Sequence, residues 1–285
     1  MPEGDTIFRS ARTLERALAG KIVTGFRSTY PLLTRFNDDT PLKGQTVEHV
    51  ESRGKWLLMH FSGGGILVTH MLMIGSWHLY RIGERWQLPA LAMRIVIETA
   101  ELVAVGFNVP LAEMHTAQSL ARDRRIPAPA SDVLGAGFDA EAAIERLLSC
   151  RDDELGDALL RQKVLAGVGN VFKSEICFAA RLNPFQTVAT LTREQVAQVV
   201  ATARHQLASN VLEDSGDEIV TYRGRKRRTT HASGPGESLW VYGRRGQPCR
   251  RCGELIRRRL QGADARGTYW CPCCQPMPGG AEIDG

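Results

Sequence analysis

Four places in this 285-residue chain combine residue types and spacings that could do chemistry. The first is its start, Met1-Pro2-Glu3-Gly4-Asp5. Removal of Met1 leaves Pro2 with a free secondary amine, which can attack an electrophilic carbon such as a sugar C1′ and form an iminium ion, as a lysine does in a Schiff base. Glu3, next in sequence, could act as general acid on the ring oxygen if its surroundings hold a proton there near neutrality. On these residues alone, an ordinary helix start with proline in the first turn fits as well. The second is Lys55 in Ser52-Arg53-Gly54-Lys55-Trp56, at the head of an apolar run, where a strand can carry an ammonium to a phosphate; a solvated lysine at a strand end is the commoner fate. The third is Gly167-Val168-Gly169-Asn170, a glycine turn before a helix. Its first amides and the side chain of Asn170 could bind an anion, or Asn170 could simply cap the helix.

The fourth is Cys249-x-x-Cys252 and Cys271-x-x-Cys274, two pairs separated by 18 residues. That spacing closes one tetrahedral thiolate site, and four thiolates leave no open position, so one structural zinc ion is expected rather than a catalytic one. Cys273 is a spare thiol that blurs the register of the second pair, and Cys274 is preferred as the ligand. Between the pairs, Arg266 precedes the turn back to the metal and is the best placed of the local arginines to grip a phosphate. Cys150 and Cys177 read as buried, inert thiols.

These residues need elements to hold them. Ile7, Ala11, Leu14 and Leu18 recur at helical spacing, so a first helix begins just after Glu3. From Lys21 to about Phe107 short runs read as strands: 22–24, 46–50, 56–61, 65–70, 77–80, 93–99 and 101–105. Together they argue for an antiparallel sandwich. Helical patterns follow at about 139–149, 153–164, 171–181 and 192–212, with short strands around the cysteines. The expected division is a β-sandwich over residues 1–125, a linker at 126–138, a helical domain over 139–240, a metal-stapled finger over 241–275 and a disordered tail at 276–285.

The net charge of +5 conceals a polarity, because residues 221–275 carry 13 Lys or Arg against 3 Asp or Glu. Such a basic end favours a polyanion, since phosphate neutralisation releases counterions. No apolar run approaches the ~20 residues of a membrane span, and the start lacks a secretory pattern, so a cytoplasmic, nucleoid-associated protein is expected, with no membrane partner.

Taken together, Met1-Pro2-Glu3-Gly4, Ser52-Arg53-Gly54-Lys55, the run from Gln162 to Val171, Trp240-Val241-Tyr242-Gly243-Arg244, and the cysteines with Arg266 resemble the formamidopyrimidine-DNA glycosylase and endonuclease VIII family over nearly the whole chain. The resemblance implies an α+β multidomain fold: an antiparallel β-sandwich, a helix-two-turn-helix domain and a C-terminal zinc finger, with a DNA cleft between domains. It implies a monomer that excises oxidised bases from damaged double-stranded DNA and cuts the strand by β,δ-elimination. In that scheme Pro2 is the nucleophile, Glu3 the acid, Lys55 a phosphate-side lysine, and Asn170 and Arg266 phosphate clamps. Leu72, Met73 and Ile74 form the wedge that fills the void left by the extruded base, although core packing is an equal role for Ile74. Two departures matter. Thr6 stands where many relatives have Glu, and Val105-Gly106-Phe107-Asn108-Val109 replaces the Arg-Arg-Phe-Gly segment of the guanine-specific branch. The first removes or moves any helper role of that carboxylate; the second, together with Gly4, leans towards endonuclease VIII and oxidised pyrimidines. An 8-oxoguanine glycosylase remains the alternative, as does a zinc-bearing DNA-binding protein without catalysis, which leaves Pro2, Glu3 and Lys55 unexplained.

Overall fold

The computed structural model describes residues 2–212, 229–230 and 238–280. The basic run from Arg223 to Arg228 and the last five residues of the expected tail lie outside the described residues. The described residues fall into two compact units, one up to Pro127 and one from Ala128 onward.

The first unit opens with α1 (Gly4–Leu18), which buries Ile7, Ala11, Leu14 and Leu18 as their spacing predicts. Burying each of the larger aliphatic side chains contributes roughly 1.5 to 3 kcal/mol. Two four-stranded antiparallel sheets follow. One has the order β1 (Gly25–Ser28), β6 (Met93–Glu98), β7 (Leu102–Phe107), β5 (Ser76–Arg81). The other has the order β2 (Val47–Arg53), β3 (Trp56–Phe61), β4 (Ile66–His70), β8 (Leu111–His115). Leu57, Met59, Phe61 and Leu67 of the second sheet share one core with Trp77, Leu79, Ile95 and Ile97 of the first and with the apolar face of α1. Trp56, Leu58 and Val68 point to the other face, where Leu120 of α3 (Ala117–Arg122) and Ile126 cover them. β3 is therefore apolar on both faces and reads as a continuous run rather than an alternation.

Three expectations need correction in this unit. The strand expected at 22–24 lies at Gly25–Ser28, and Ile22 makes only an isolated bridge with Thr46. Pro31–Asp39 forms α2 inside the supposed all-strand region; proline at its start suits a first helical turn, but only Leu33 is buried, which leaves almost no helical period to see. β8 and α3, beyond Phe107, were not anticipated; β8 is an edge strand with an exposed or half-buried pattern.

The second unit contains α4 (Ala140–Leu148), α5 (Leu155–Leu160), α6 (Asn170–Ala179) and α7 (Arg193–Leu212), followed by the hairpin β9 (Arg257–Gln261) and β10 (Arg266–Trp270). Asp139 caps α4 by accepting from Ala142 N at 2.9 Å, a usual role for aspartate before a helix. Val196, Val199, Val200, Ala203 and Leu207 of α7 pack with Leu159, Leu165, Phe172 and Ile176. α6 is buried all round, its polar residues Asn170, Lys173, Ser174 and Glu175 included. The helix expected over 153–164 is shorter, Leu155–Leu160, and residues 161–169 form turns leading into α6.

Candidate functional site

In the first unit the site begins at the head of α1. Glu3 is the residue before the helix, with extended backbone (φ −124°, ψ −176°), and its carbonyl accepts from Thr6 N at 3.0 Å and Ile7 N at 3.1 Å. Its carboxylate is fully buried, while Pro2 ahead of it is half-buried. The positive end of the helix dipole thus lies at the start of the chain, where it attracts an anion such as a phosphate. Asp5, also fully buried, accepts from the Thr6 hydroxyl at 3.3 Å and sits 3.8 Å from the Arg9 guanidinium. A buried carboxylate therefore stands one position before Thr6.

Gly54 and Lys55 form a two-residue loop between the paired residues Arg53 and Trp56. Gly54 has φ +59°, whereas Lys55 is not among the positive-φ residues, the pattern of a type II′ hairpin turn that glycine favours at its first position. Trp56 pairs in turn with His70 across β3 and β4. Burial, and secondarily the Lys55 ammonium, pushes His70 down to about 4, so its imidazole is neutral at pH 7. Leu72 N donates to Nδ1 of that ring at 3.1 Å, which places the ring proton on Nε2. Sequence reasoning missed His70. The signal was a histidine closing an apolar strand directly before Met71-Leu72-Met73-Ile74-Gly75.

That loop is tightly built. Gly75 N donates to Met71 O at 2.8 Å, and a Cβ at Gly75 would lie 2.8 Å from the same oxygen. Leu72 has φ +44°, a strained value for leucine. Leu72, Met73 and Ile74 are 45%, 64% and 70% exposed. Ile74 therefore does not pack in the core, the alternative role it had on sequence.

In the second unit Gly169, not Asn170, precedes α6, and Asn170 is the first helical residue. Asn170 does not cap: its Nδ2 donates to Gly267 O at 2.9 Å, and its buried Oδ1 has no partner among the described residues. This bond ties the start of α6 to the residue after Arg266. The Arg266 guanidinium is 39% exposed and pairs with Asp264 at 2.9 Å, through a turn in which Ala265 has φ +47°. Ser174 Oγ accepts from Tyr269 N at 3.3 Å, so α6 also grips β10 beyond Arg266. Glu175, fully buried, accepts from the backbone N–H of Trp240, Val241 and Tyr242 at 2.8 to 2.9 Å and from the Thr229 hydroxyl.

The Sγ atoms of Cys249, Cys252, Cys271 and Cys274 lie within 4.8 Å of one another, with Cys249–Cys274 at 3.9 Å and Cys252–Cys271 at 3.4 Å. Zinc–sulfur bonds of ~2.3 Å in a tetrahedron set sulfurs roughly 3.8 Å apart, so the donor set fits a closed metal site. Arg251 N and Cys274 N each donate to a cysteine sulfur at 3.4 Å, which helps disperse thiolate charge. Cys273 is exposed and outside the group. Two other groups of potential ligands are already engaged. Arg125 bonds Glu113 and Asp123 beside His115, and Glu51, near His49 and His60, accepts from Arg53 at 2.8 Å and faces His60 at 3.2 Å.

Residues 1–109 match the family profile of the formamidopyrimidine-DNA glycosylase N-terminal domain, and residues 130–221 that of its H2TH domain. A "probable endonuclease 8 2" of Streptomyces coelicolor is 39% identical, covering 98% of this chain and 97% of its own length. A DNA-(apurinic or apyrimidinic site) lyase of Mycolicibacterium smegmatis is 38% identical over 96% of this chain and 99% of its own. In fold, the Lactococcus lactis glycosylase in complex with DNA containing an abasic site superposes with a TM-score of 0.78 at 22% identity, covering 96% of this chain and all of that one. With two domain profiles in order and full-length relatives of this similarity, the chain belongs to the formamidopyrimidine-DNA glycosylase and endonuclease 8 family of DNA glycosylases and abasic-site lyases, most similar to its endonuclease 8 branch.

Proposed function

We propose that this chain is a bifunctional base-excision enzyme that removes oxidised pyrimidines from damaged duplex DNA and then cuts the strand. Pro2, freed of Met1, attacks C1′ with its imino nitrogen; the C1′–base bond breaks and the base leaves with the amine proton, giving a C1′ aminal that becomes the iminium ion when the C1′–O4′ bond breaks. Glu3 protonates the ring oxygen as the sugar opens. Loss of a C2′ proton expels the 3′ phosphate, a second elimination expels the 5′ phosphate, and hydrolysis returns the amine. The observation that carries the reading is the pairing of a completely buried Glu3 with the half-buried Pro2 at the head of α1, an arrangement that core packing gives no reason to build.

Lys55 and the Nε2–H of His70 are proposed to face phosphate oxygens, and the exposed loop at Leu72, Met73 and Ile74 to fill the space of the extruded base. Asn170 keeps a second Nδ2 hydrogen for a phosphate at the positive end of the α6 dipole. Arg266 is proposed to exchange Asp264 for a phosphate. The exchange is cheap, because a solvent-exposed ion pair contributes only about 0 to 1 kcal/mol. The four cysteines would hold one zinc ion that keeps the β9–β10 hairpin rigid without entering the chemistry. The pyrimidine preference rests on similarity to the endonuclease 8 relatives and on the absence of Arg-Arg-Phe-Gly near Phe107.

Nicking assays on duplexes carrying thymine glycol or 8-oxoguanine test the assignment. The expected result is faster release of thymine glycol, with both activities lost in Pro2→Gly and base release lowered about 100-fold or more in Glu3→Gln. Preference for 8-oxoguanine overturns the substrate, and full activity in Pro2→Gly overturns the mechanism.

A further inference from the structure

Lys173, on α6, is the only fully buried lysine among the described residues. Its Nζ donates to Thr268 Oγ1 at 2.6 Å; that hydroxyl donates to Gln261 Oε1 at 2.7 Å; and Gln261 Nε2 donates to Glu154 Oε2 at 2.7 Å and to Pro184 O at 2.9 Å. The donors run in one direction, from ammonium to carboxylate. Both middle members belong to the hairpin, and Gln261 is the cross-strand partner of Arg266, with Thr268 two residues beyond it on the same face. A buried ammonium is costly, and an aliphatic side chain at this position would avoid that cost, so its presence asks for a role other than stability. Burial opposes the ammonium's charge most and the nearby Arg266 adds to that, whereas Cys177, Asp157 and Glu154 favour it. Asn170 on Gly267 and Ser174 on Tyr269 complete the grip, so α6 holds three successive residues of β10 directly after Arg266.

We propose that Lys173 is a positioning residue for DNA binding: through Thr268 and Gln261 it fixes the strand that presents the Arg266 guanidinium to a phosphate. This rests on the reading of Arg266 as a phosphate contact. The ammonium touches no substrate and acts only through the hairpin. Removing it should therefore forfeit part of the binding that Arg266 supplies, and nothing in addition to it.

The test is a double-mutant cycle with the full-length, zinc-loaded chain: parent, Lys173→Met, Arg266→Ala and the double variant. Each is titrated with a duplex containing a tetrahydrofuran abasic-site analogue, and its zinc content and thermal midpoint are measured alongside. Arg266→Ala is expected to weaken binding about tenfold or more, Lys173→Met about three- to tenfold, and the double variant no more than about twofold beyond Arg266→Ala. In abasic-site nicking, Lys173→Met should raise KM by a like factor and leave kcat within about twofold, the signature of lost uniform binding. Parent-like binding by Lys173→Met, or losses that multiply in the double variant, overturns the inference while the Arg266 reading stands. Parent-like binding by Arg266→Ala overturns both. Should Lys173→Met lose zinc or fold, Thr268→Val takes its place in the same cycle with the same criteria.

Discussion

Several single side chains in this protein are held in states they would not adopt alone. His70 is pushed down to about 4 by burial and by Lys55, and burial alone does the same to His78. The unfolded chain takes up these protons near pH 6.5 and the folded one only near 4, so their contribution to stability is complete above pH 6.5 and is lost as the pH falls from there towards 4. Thermal midpoints taken across that window should show the loss, and His70→Gln should remove part of it while the His78 part remains. Asp264 illustrates an opposite kind of control, holding Arg266 in a solvent-exposed pair. Asp264→Ala should tighten binding to an abasic duplex several-fold at low salt, with the gain fading at high salt; weaker binding would mean that Asp264 orients the guanidinium rather than competing for it.

At the scale of elements, α6 organises the second unit. Its side chains reach Gly267, Thr268, Tyr269 and the 240–242 turn, and Glu175 alone accepts three backbone N–H groups and the Thr229 hydroxyl there. Each bond to a buried carboxylate contributes on the order of 1.5 to 3 kcal/mol. Glu175→Gln should therefore lower stability by at least about 2 kcal/mol in a denaturant titration, whereas a loss within 0.5 kcal/mol would show that the turn holds without it. In the first unit, the 71–75 loop carries backbone strain at Leu72, where φ is +44°. Leu72→Gly should raise stability by roughly 1 kcal/mol and slow excision of a paired lesion, because strain and wedge reside in the same residue. Faster excision would place the wedge elsewhere. These elements differ in how plainly the sequence announced them. α1 and β3 follow directly from apolar spacing, and the cysteine pairs from their x-x spacing. α2 was invisible because its one buried residue, Leu33, carries no period, and the network on α6 was invisible because buried polar residues mimic a solvated face until their partners, nearly a hundred residues away, are known. His70 became legible only when pairing with Trp56 placed it next to Lys55.

For the molecule as a whole, the basic excess over residues 221–275 predicts binding that weakens steeply with salt, with log affinity falling linearly against log salt concentration. Arg266→Ala should lower that slope by about one, the share of a single phosphate contact. No helix among the described residues is long and apolar enough to cross a membrane. The central claim is chemical and concerns one nitrogen. Borohydride reduction of the protein on an abasic-site duplex, followed by proteolysis and mass analysis of the adduct, locates the covalent bond. The account predicts a sugar-linked peptide that begins at Pro2, and no adduct in Pro2→Gly; an adduct on Lys55 or another lysine, or full activity in protein that retains Met1, would contradict it.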